Sequence, residues 1–280
     1  MSVVTRIQGF YELCRPGNVV AASLLTAIGA LVAGAGTGEV TPVAAAVIAT
    51  GLAVGAGNSI NDYFDREIDA TNRPDRPIPR GAVTPREALA FSLLLFVLAI
   101  AIALTLPLAA IVIAGVNLFA LLAYTEWFKG LPGVGNAVVA GLTGSTFLFG
   151  GAAIGEPFGA VVLAILAGIA TVTREIVKDV EDIEGDRQEG LHTLPIAIGE
   201  RRSLQIGAGA IAVAVIASIV PYVDGTFGLA YLVVIIPADV LMVWAMKRSF
   251  ADPSAGQRYL KAGMFLAAGA FLLGRIELLV

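Results

Sequence analysis

One cysteine and one histidine in 280 residues leave neither a disulfide framework nor a Cys/His cluster at metal-ligand spacing. Cys14 has no intrachain partner and His192 stands alone, so stapled secreted scaffolds and zinc enzymes are excluded. Charge is scarce too. Asp, Glu, Lys and Arg make up 14% of the chain, against about 25% in soluble domains, too little to solvate a globule of this size. The 18 basic residues are outnumbered by 22 acidic ones, giving a net charge of -4. No nucleic-acid partner is expected from that balance, because such binders carry a basic face. A cleavable signal is not expected either, since Arg6, Glu12 and Arg15 interrupt the first apolar run.

What the chain has in abundance is apolar: 57% hydrophobic residues, 32 glycines and a mean hydropathy of +0.84. That composition excludes a soluble enzyme and calls for lipid. A bilayer core about 30 Å thick needs roughly 20 mostly apolar residues per helix. About nine such runs are expected, near 18–36, 42–64, 88–106, 108–128, 134–154, 158–178, 204–222, 227–246 and 259–279. The fold class is therefore all-α, a polytopic membrane bundle with cap loops, with 1–280 as a single transmembrane domain. Gly and Pro at 36–38, 106–107 and 155–157 mark tight reversals. Nearly all Lys and Arg fall in alternate loops, on the side of Arg6 and Arg15; Arg275 is the exception. By the positive-inside rule, a cell-membrane protein results whose N-terminus and long loops are cytoplasmic. A segment from Val3 to Leu13 has the composition of an interfacial helix or a frayed end.

Two acidic bursts close the second and sixth spans. In the first, steps of four, three and four place Asn58, Asp62, Asp65 and Asp69 within an arc of about 60° on one helix face. In the second, Asp179, Asp182 and Asp186 follow at steps of three and four, with Gly185 a point where the helix could break. Acids at a helix C-terminus oppose its dipole, so local helix energetics disfavour both runs. Solvated charge at helix ends is the plainer alternative. If the two ends face each other, the carboxylates demand cations, and Mg²⁺ fits: it takes one or two carboxylates and completes its shell with water and phosphate oxygens. The loop 70–81 carries Arg73, Arg76 and Arg80 among three prolines, a stiff arginine-rich stretch suited to an anion. Tyr124 and Lys129 close the fourth span at the same side; interfacial anchoring is their alternative role.

These residues resemble the UbiA-type intramembrane prenyltransferases: Asn58, Asp62 and Asp65, the later run Asp179, Asp182 and Asp186, and Tyr124 with Lys129. The resemblance spans the whole chain and implies nine helices with acidic motifs closing the second and sixth. The wording of 61–69, 72–79 and 174–186 is similar to the archaeal digeranylgeranylglyceryl phosphate synthase subgroup. It implies Mg²⁺-dependent transfer from geranylgeranyl diphosphate to geranylgeranylglyceryl phosphate. On that footing Asp62, Asp65, Asp179 and Asp182 are the expected metal ligands, with Asn58, Asp69 and Asp186 in support. Arg73, Lys129 and Lys178 are expected at phosphate, and Tyr124 at a developing cation or leaving oxygen. An aromatic acceptor such as 4-hydroxybenzoate would use the same donor machinery. A cation transporter would also carry acids on membrane helices, but spread through the bilayer rather than gathered at one face. Asp239, inside the eighth span beside Pro237, is either functional or paired with a backbone group that the proline frees. Small residues such as Gly29, Gly34, Gly141 and Gly144 are expected to let helices pack closely.

Overall fold

The computed structural model describes residues 3–278, with the backbone alone at 125 and 126. Leu279, at the end of the last expected span, lies outside the described residues. Each expected span coincides with a helix. In chain order these are α1 (Val3–Leu13), α2 (Pro16–Val32), α3 (Val40–Phe64), α4 (Arg66–Asn72), α5 (Pro85–Ala103), α6 (Leu108–Ala123) and α7 (Val134–Ala153). Then follow α8 (Val161–Glu181), α9 (Ile183–Gln188), α10 (Leu194–Ile198), α11 (Glu200–Ala217), α12 (Val220–Val223), α13 (Leu229–Ser249) and α14 (Pro253–Glu277). Of the nine long helices from α2 onward, α3, α5, α7, α11 with α12, α13 and α14 are long and apolar enough to cross a membrane alone. A seventh span counts if α1 and α2, bent by 46°, are taken together. The two others fall short for visible reasons. α6 has 16 residues and gains length only through a π-helical turn, Tyr124–Phe128; the last turns of α8 carry Arg174, Glu175, Lys178, Asp179 and Glu181.

Local chemistry sets the ends. Thr84 caps α5, its hydroxyl accepting from the Glu87 amide while the Glu87 carboxylate reaches back, and Pro85 opens the first turn. Asp252 caps α14, its carboxylate accepting from the Ala255 amide, ahead of Pro253. Gly155 turns the chain at φ 87°, a conformation costly for any residue with a Cβ.

α2 packs on α3, α7 and α14, and α8 packs on α7, α11 and α14. These contacts are close because glycine permits it. A Cβ at Gly29 would strike the Phe147 backbone, one at Gly150 the Thr26 carbonyl, and one at Gly144 the Ala164 carbonyl. Gly34 and Gly141 face open space instead and take no part in close packing. At the end remote from the acidic runs, Phe147, Phe227, Tyr231 and Phe271 form an aromatic cluster, with Phe227 and Phe271 stacked at 5.9 Å. Large exposed side chains such as Val97, Val112, Phe119 and Val233 lie on the outer helix faces, where lipid tails replace water as their solvent.

The segment from Val3 to Leu13 is helical, not frayed. Val3, Val4, Ile7 and Tyr11 point outward, while Leu13 is fully buried. Two ion pairs fasten it to the region around α5, Arg6 with Glu87 and Arg80 with Glu12.

Candidate active site

Both acidic runs share one piece of local geometry. α3 ends at Phe64 and α4 begins at Arg66; between them Asp65 sits at φ −81°, ψ 2°. α8 ends at Glu181 and α9 begins at Ile183; between them Asp182 sits at φ −92°, ψ 6°. Each is a long helix re-aimed into a short one through the bridge region of backbone space, where active-site residues are often found. Gly185 does not make the break; it lies inside α9. The re-aiming also changes the electrostatics expected from sequence. Glu67 and Asp69 fall in the first turn of α4, and Glu184 and Asp186 in that of α9, where helix polarity favours negative charge.

On the α3 side, Asp62 and Asp69 are buried and held by arginine. Asp62 Oδ1 accepts from Arg15 Nη2 at 2.6 Å and from Arg76 Nη1 at 3.2 Å; the same Arg76 nitrogen pairs with Asp69 Oδ2. Asn58 donates its amide to the Cys14 carbonyl at 2.9 Å. Arg15 has φ 49°, the single non-glycine residue with positive φ among the described residues. A residue before proline ordinarily adopts an extended backbone, so the α1–α2 corner is held in place by these contacts with α3.

On the α8 side, the Asn136 amide of α7 donates to Asp179 Oδ2 at 2.7 Å. The Thr193 hydroxyl donates to Asp186 Oδ2 at 2.9 Å. Tyr124, carried on the π turn, lies within electrostatic reach of Lys178, Glu175, Asp179 and Asp186. Lys178 in turn faces Glu175, 3.9 Å away, and feels Asp179 and Asp182. Lys129 pairs with Glu189 at 3.8 Å, and the Gly130 carbonyl accepts from the His192 amide, so the loop after α9 rests on the start of the α6–α7 link. The exposed His192 contributes that backbone contact.

The bridge between the two sides is Arg73. Burial pushes the Asp182 carboxyl above its ordinary range; Lys178 pulls it down, Glu181 and Asp186 push it up, and Arg73, from the loop after α4, pulls it down. A cation from the first run therefore acts on a carboxyl of the second. Among the described residues, no three Asp, Glu, His or Cys side chains converge as a ready metal cluster. The donor chemistry nonetheless suits a hard cation. Arginine engages Asp62 and Asp69, and Asn136 engages Asp179, whereas the carboxylates of Asp65 and Asp182 form no ion pair or hydrogen bond among the described residues. One free carboxylate from each run matches the one or two that Mg²⁺ takes from protein.

Behind α8 lies a cavity of about 460 Å³, lined mostly by α2, α7, α8, α13 and α14, running from Arg174 and Glu175 to Phe147 and Phe271. That volume falls in the range of roughly 300–1,000 Å³ typical of ligand sites. Asp239 lines it and accepts from the Ser218 hydroxyl at 2.7 Å, so its partner is a side chain of the α11 end rather than a backbone group freed by Pro237.

The profile of the UbiA prenyltransferase family matches residues 22–269. The chain belongs to the UbiA prenyltransferase family. It is 62% identical to digeranylgeranylglyceryl phosphate synthase of Natronomonas pharaonis, across 97% of this chain and 98% of that protein. A solved structure concerned with digeranylgeranylglyceryl phosphate synthase in membranes superposes with a TM-score of 0.80 at 34% identity, covering 97% of this chain and 99% of that one. A UbiA homologue from Archaeoglobus fulgidus, solved bound to GPP and Mg²⁺, shares the fold at 19% identity and a TM-score of 0.69, covering 97% of this chain and 100% of that one. This UbiA-family chain is thus a multi-pass membrane prenyltransferase. Arg15, Asn136 and Glu175 stand in its site without having been expected there from sequence, and Arg76, expected at an anion, engages Asp62 and Asp69 instead. Arg15 reads in the sequence as a topogenic charge, and Asn136 falls within the expected span 134–154.

Proposed function

We propose that this chain is a Mg²⁺-dependent digeranylgeranylglyceryl phosphate synthase, moving the geranylgeranyl group of geranylgeranyl diphosphate onto the free hydroxyl of geranylgeranylglyceryl phosphate. The allylic carbon–oxygen bond breaks, the same carbon bonds the glycerol oxygen, and diphosphate departs. The observation that carries this reading is the pair of carboxylates, Asp65 and Asp182, that stand at the two helix breaks without an ion pair or hydrogen bond among the described residues, with a mainly apolar cavity lined by the same α8. Asp65 and Asp182 would hold the metal directly, with Asp62 and Asp179 as the other ligands and Asn58, Asp69 and Asp186 in support. Mg²⁺, when bound, would supply the positive charge that makes diphosphate a good leaving group.

The chain's own residues do the rest. Arg73 and Lys178 would flank the diphosphate, and Lys129, paired with Glu189 at 3.8 Å, would be a further phosphate contact. Tyr124 faces the allylic carbon from the π turn, its ring and hydroxyl able to meet positive charge or the departing oxygen. The cavity keeps water from the allylic group and receives its hydrocarbon tail. The hydroxyl proton passes to a nearby carboxylate or to diphosphate. The N-terminus and this mouth lie on the cytoplasmic side, by the distribution of Lys and Arg, and residues 1–280 act as one transmembrane domain. Purified protein with Mg²⁺ and geranylgeranyl diphosphate should convert geranylgeranylglyceryl phosphate to the diether. Conversion of 4-hydroxybenzoate in preference would overturn the acceptor.

A further inference from the structure

The cavity wall contains a polar corner that the donor residues leave unused. Thr171, 3% exposed, has a hydroxyl with no hydrogen-bond partner among the described residues, and so has the buried Nε of Arg174; both residues line the cavity. Arg174 Nη1 is taken by Glu175 at 2.7 Å, which balances one positive charge. Lys261, on α14, lines the same cavity and forms no ion pair among the described residues. Glu175 is shared with Lys178 at 3.9 Å, and Asp239 on the same cavity wall is engaged by the Ser218 hydroxyl, so neither carboxylate reaches the two open donors of Thr171 and Arg174 among the described residues. Buried donors left without a partner are costly and point to a ligand that brings acceptor oxygens.

That ligand is an anion, and the donor diphosphate is already provided for at the end of α8. Asp179 lies five residues beyond Arg174, about 7.5 Å along the axis by helical rise, so the corner and the metal-binding end are carried by one helix. A phosphate monoester brings close to two negative charges and three acceptor oxygens. The guanidinium Nε, the Thr171 hydroxyl and the Lys261 ammonium offer it donors of complementary kind.

We propose that Arg174, Thr171 and Lys261 form the acceptor subsite, holding the phosphate monoester of the acceptor lipid so that its free hydroxyl faces the donor carbon near Asp179. This rests on reading the chain as a synthase with a phosphate-bearing acceptor. It assigns discrimination between phosphorylated and unphosphorylated acceptors to a place distinct from the metal-binding runs.

The test uses the full chain in detergent, with Arg174→Gln, Lys261→Gln and Thr171→Val. The KM for geranylgeranylglyceryl phosphate should rise about tenfold in the first two and about threefold in the third, as charge-assisted and neutral hydrogen bonds differ. The KM for geranylgeranyl diphosphate should move less than about twofold. The preference for geranylgeranylglyceryl phosphate over geranylgeranylglycerol should shrink in parallel. Without donor or Mg²⁺, geranylgeranylglyceryl phosphate should raise the Tm of the unaltered chain and fail to raise that of Lys261→Gln, whose exposed position spares the fold. Equal rises in both KM values would hand the corner to the donor diphosphate, and an unmoved acceptor KM would make it structural; either overturns the proposal. If the unaltered chain does not turn over geranylgeranylglyceryl phosphate at all, the functional reading fails before any variant is made, and the subsite falls with it.

Discussion

Arg76→Ala strands a buried charge, and its cost follows from the contacts. Arg76 is 17% exposed and pairs with Asp62 and Asp69, whose side chains are 6% and 8% exposed. Removing it leaves Asp62 with Arg15 but takes from Asp69 its one ion-pair partner among the described residues. Breaking a buried pair by deleting one member costs about 3–5 kcal/mol, chiefly from the charge left behind. With one carboxylate stranded rather than two, the low end applies, about 3 kcal/mol. At roughly 2–3 °C per kcal/mol for a chain of this size, the apparent Tm falls by about 6–9 °C. Asp69→Asn alone leaves Arg76 on Asp62 and costs about 1 kcal/mol. The double variant should therefore be more stable than Arg76→Ala, because no charge remains stranded. The assay is thermal unfolding in one detergent at pH 7 and one scan rate, followed by tryptophan fluorescence. Losses that simply add, within about 0.5 kcal/mol, would refute the idea that Arg76 holds Asp69.

Three further outcomes follow from the same contacts. Chelating divalent metal should abolish turnover and Mg²⁺ restore it, while Asp65→Asn and Asp182→Asn abolish turnover yet shift the apparent Tm by less than about 2 °C, since neither carboxylate has an ion pair or hydrogen bond to lose among the described residues. A large drop in Tm for either would contradict their availability to metal. Asn136→Ala should weaken the Mg²⁺ dependence of turnover by about 10- to 100-fold, the usual cost of losing a group that orients a ligand; a Mg²⁺ titration of initial rates reads it. Gly150→Val should prevent α2 and α7 from meeting and yield no folded protein, whereas Gly141→Ala, in open space within α7, should stabilise by about 0.5–1 kcal/mol; size-exclusion profiles and thermal unfolding separate the two.

The helices were legible in the sequence because lipid sets their length and hydropathy reports it. The acids were legible because charge at the end of an apolar run is conspicuous. The breaks at Asp65 and Asp182 were not, since neither Gly nor Pro marks them: Arg66 and Ile183 follow directly. The partners of the acids escaped as well. Arg15 reaches Asp62 from 47 positions away and Asn136 reaches Asp179 from 43, distances at which spacing carries no information. Gly29 and Gly141 look alike in sequence, yet one meets a backbone and the other meets nothing; that difference belongs to tertiary packing.

The corner between α1 and α2 has a mechanical consequence. Arg15 grips Asp62 and Asn58 holds the Cys14 carbonyl, so the hinge is bolted at two points to the carboxylate-bearing end of α3. The N-terminal helix α1 is thereby geared to the row of acids. Any displacement of α1 is carried to the carboxylate-bearing end of α3 through these two bonds.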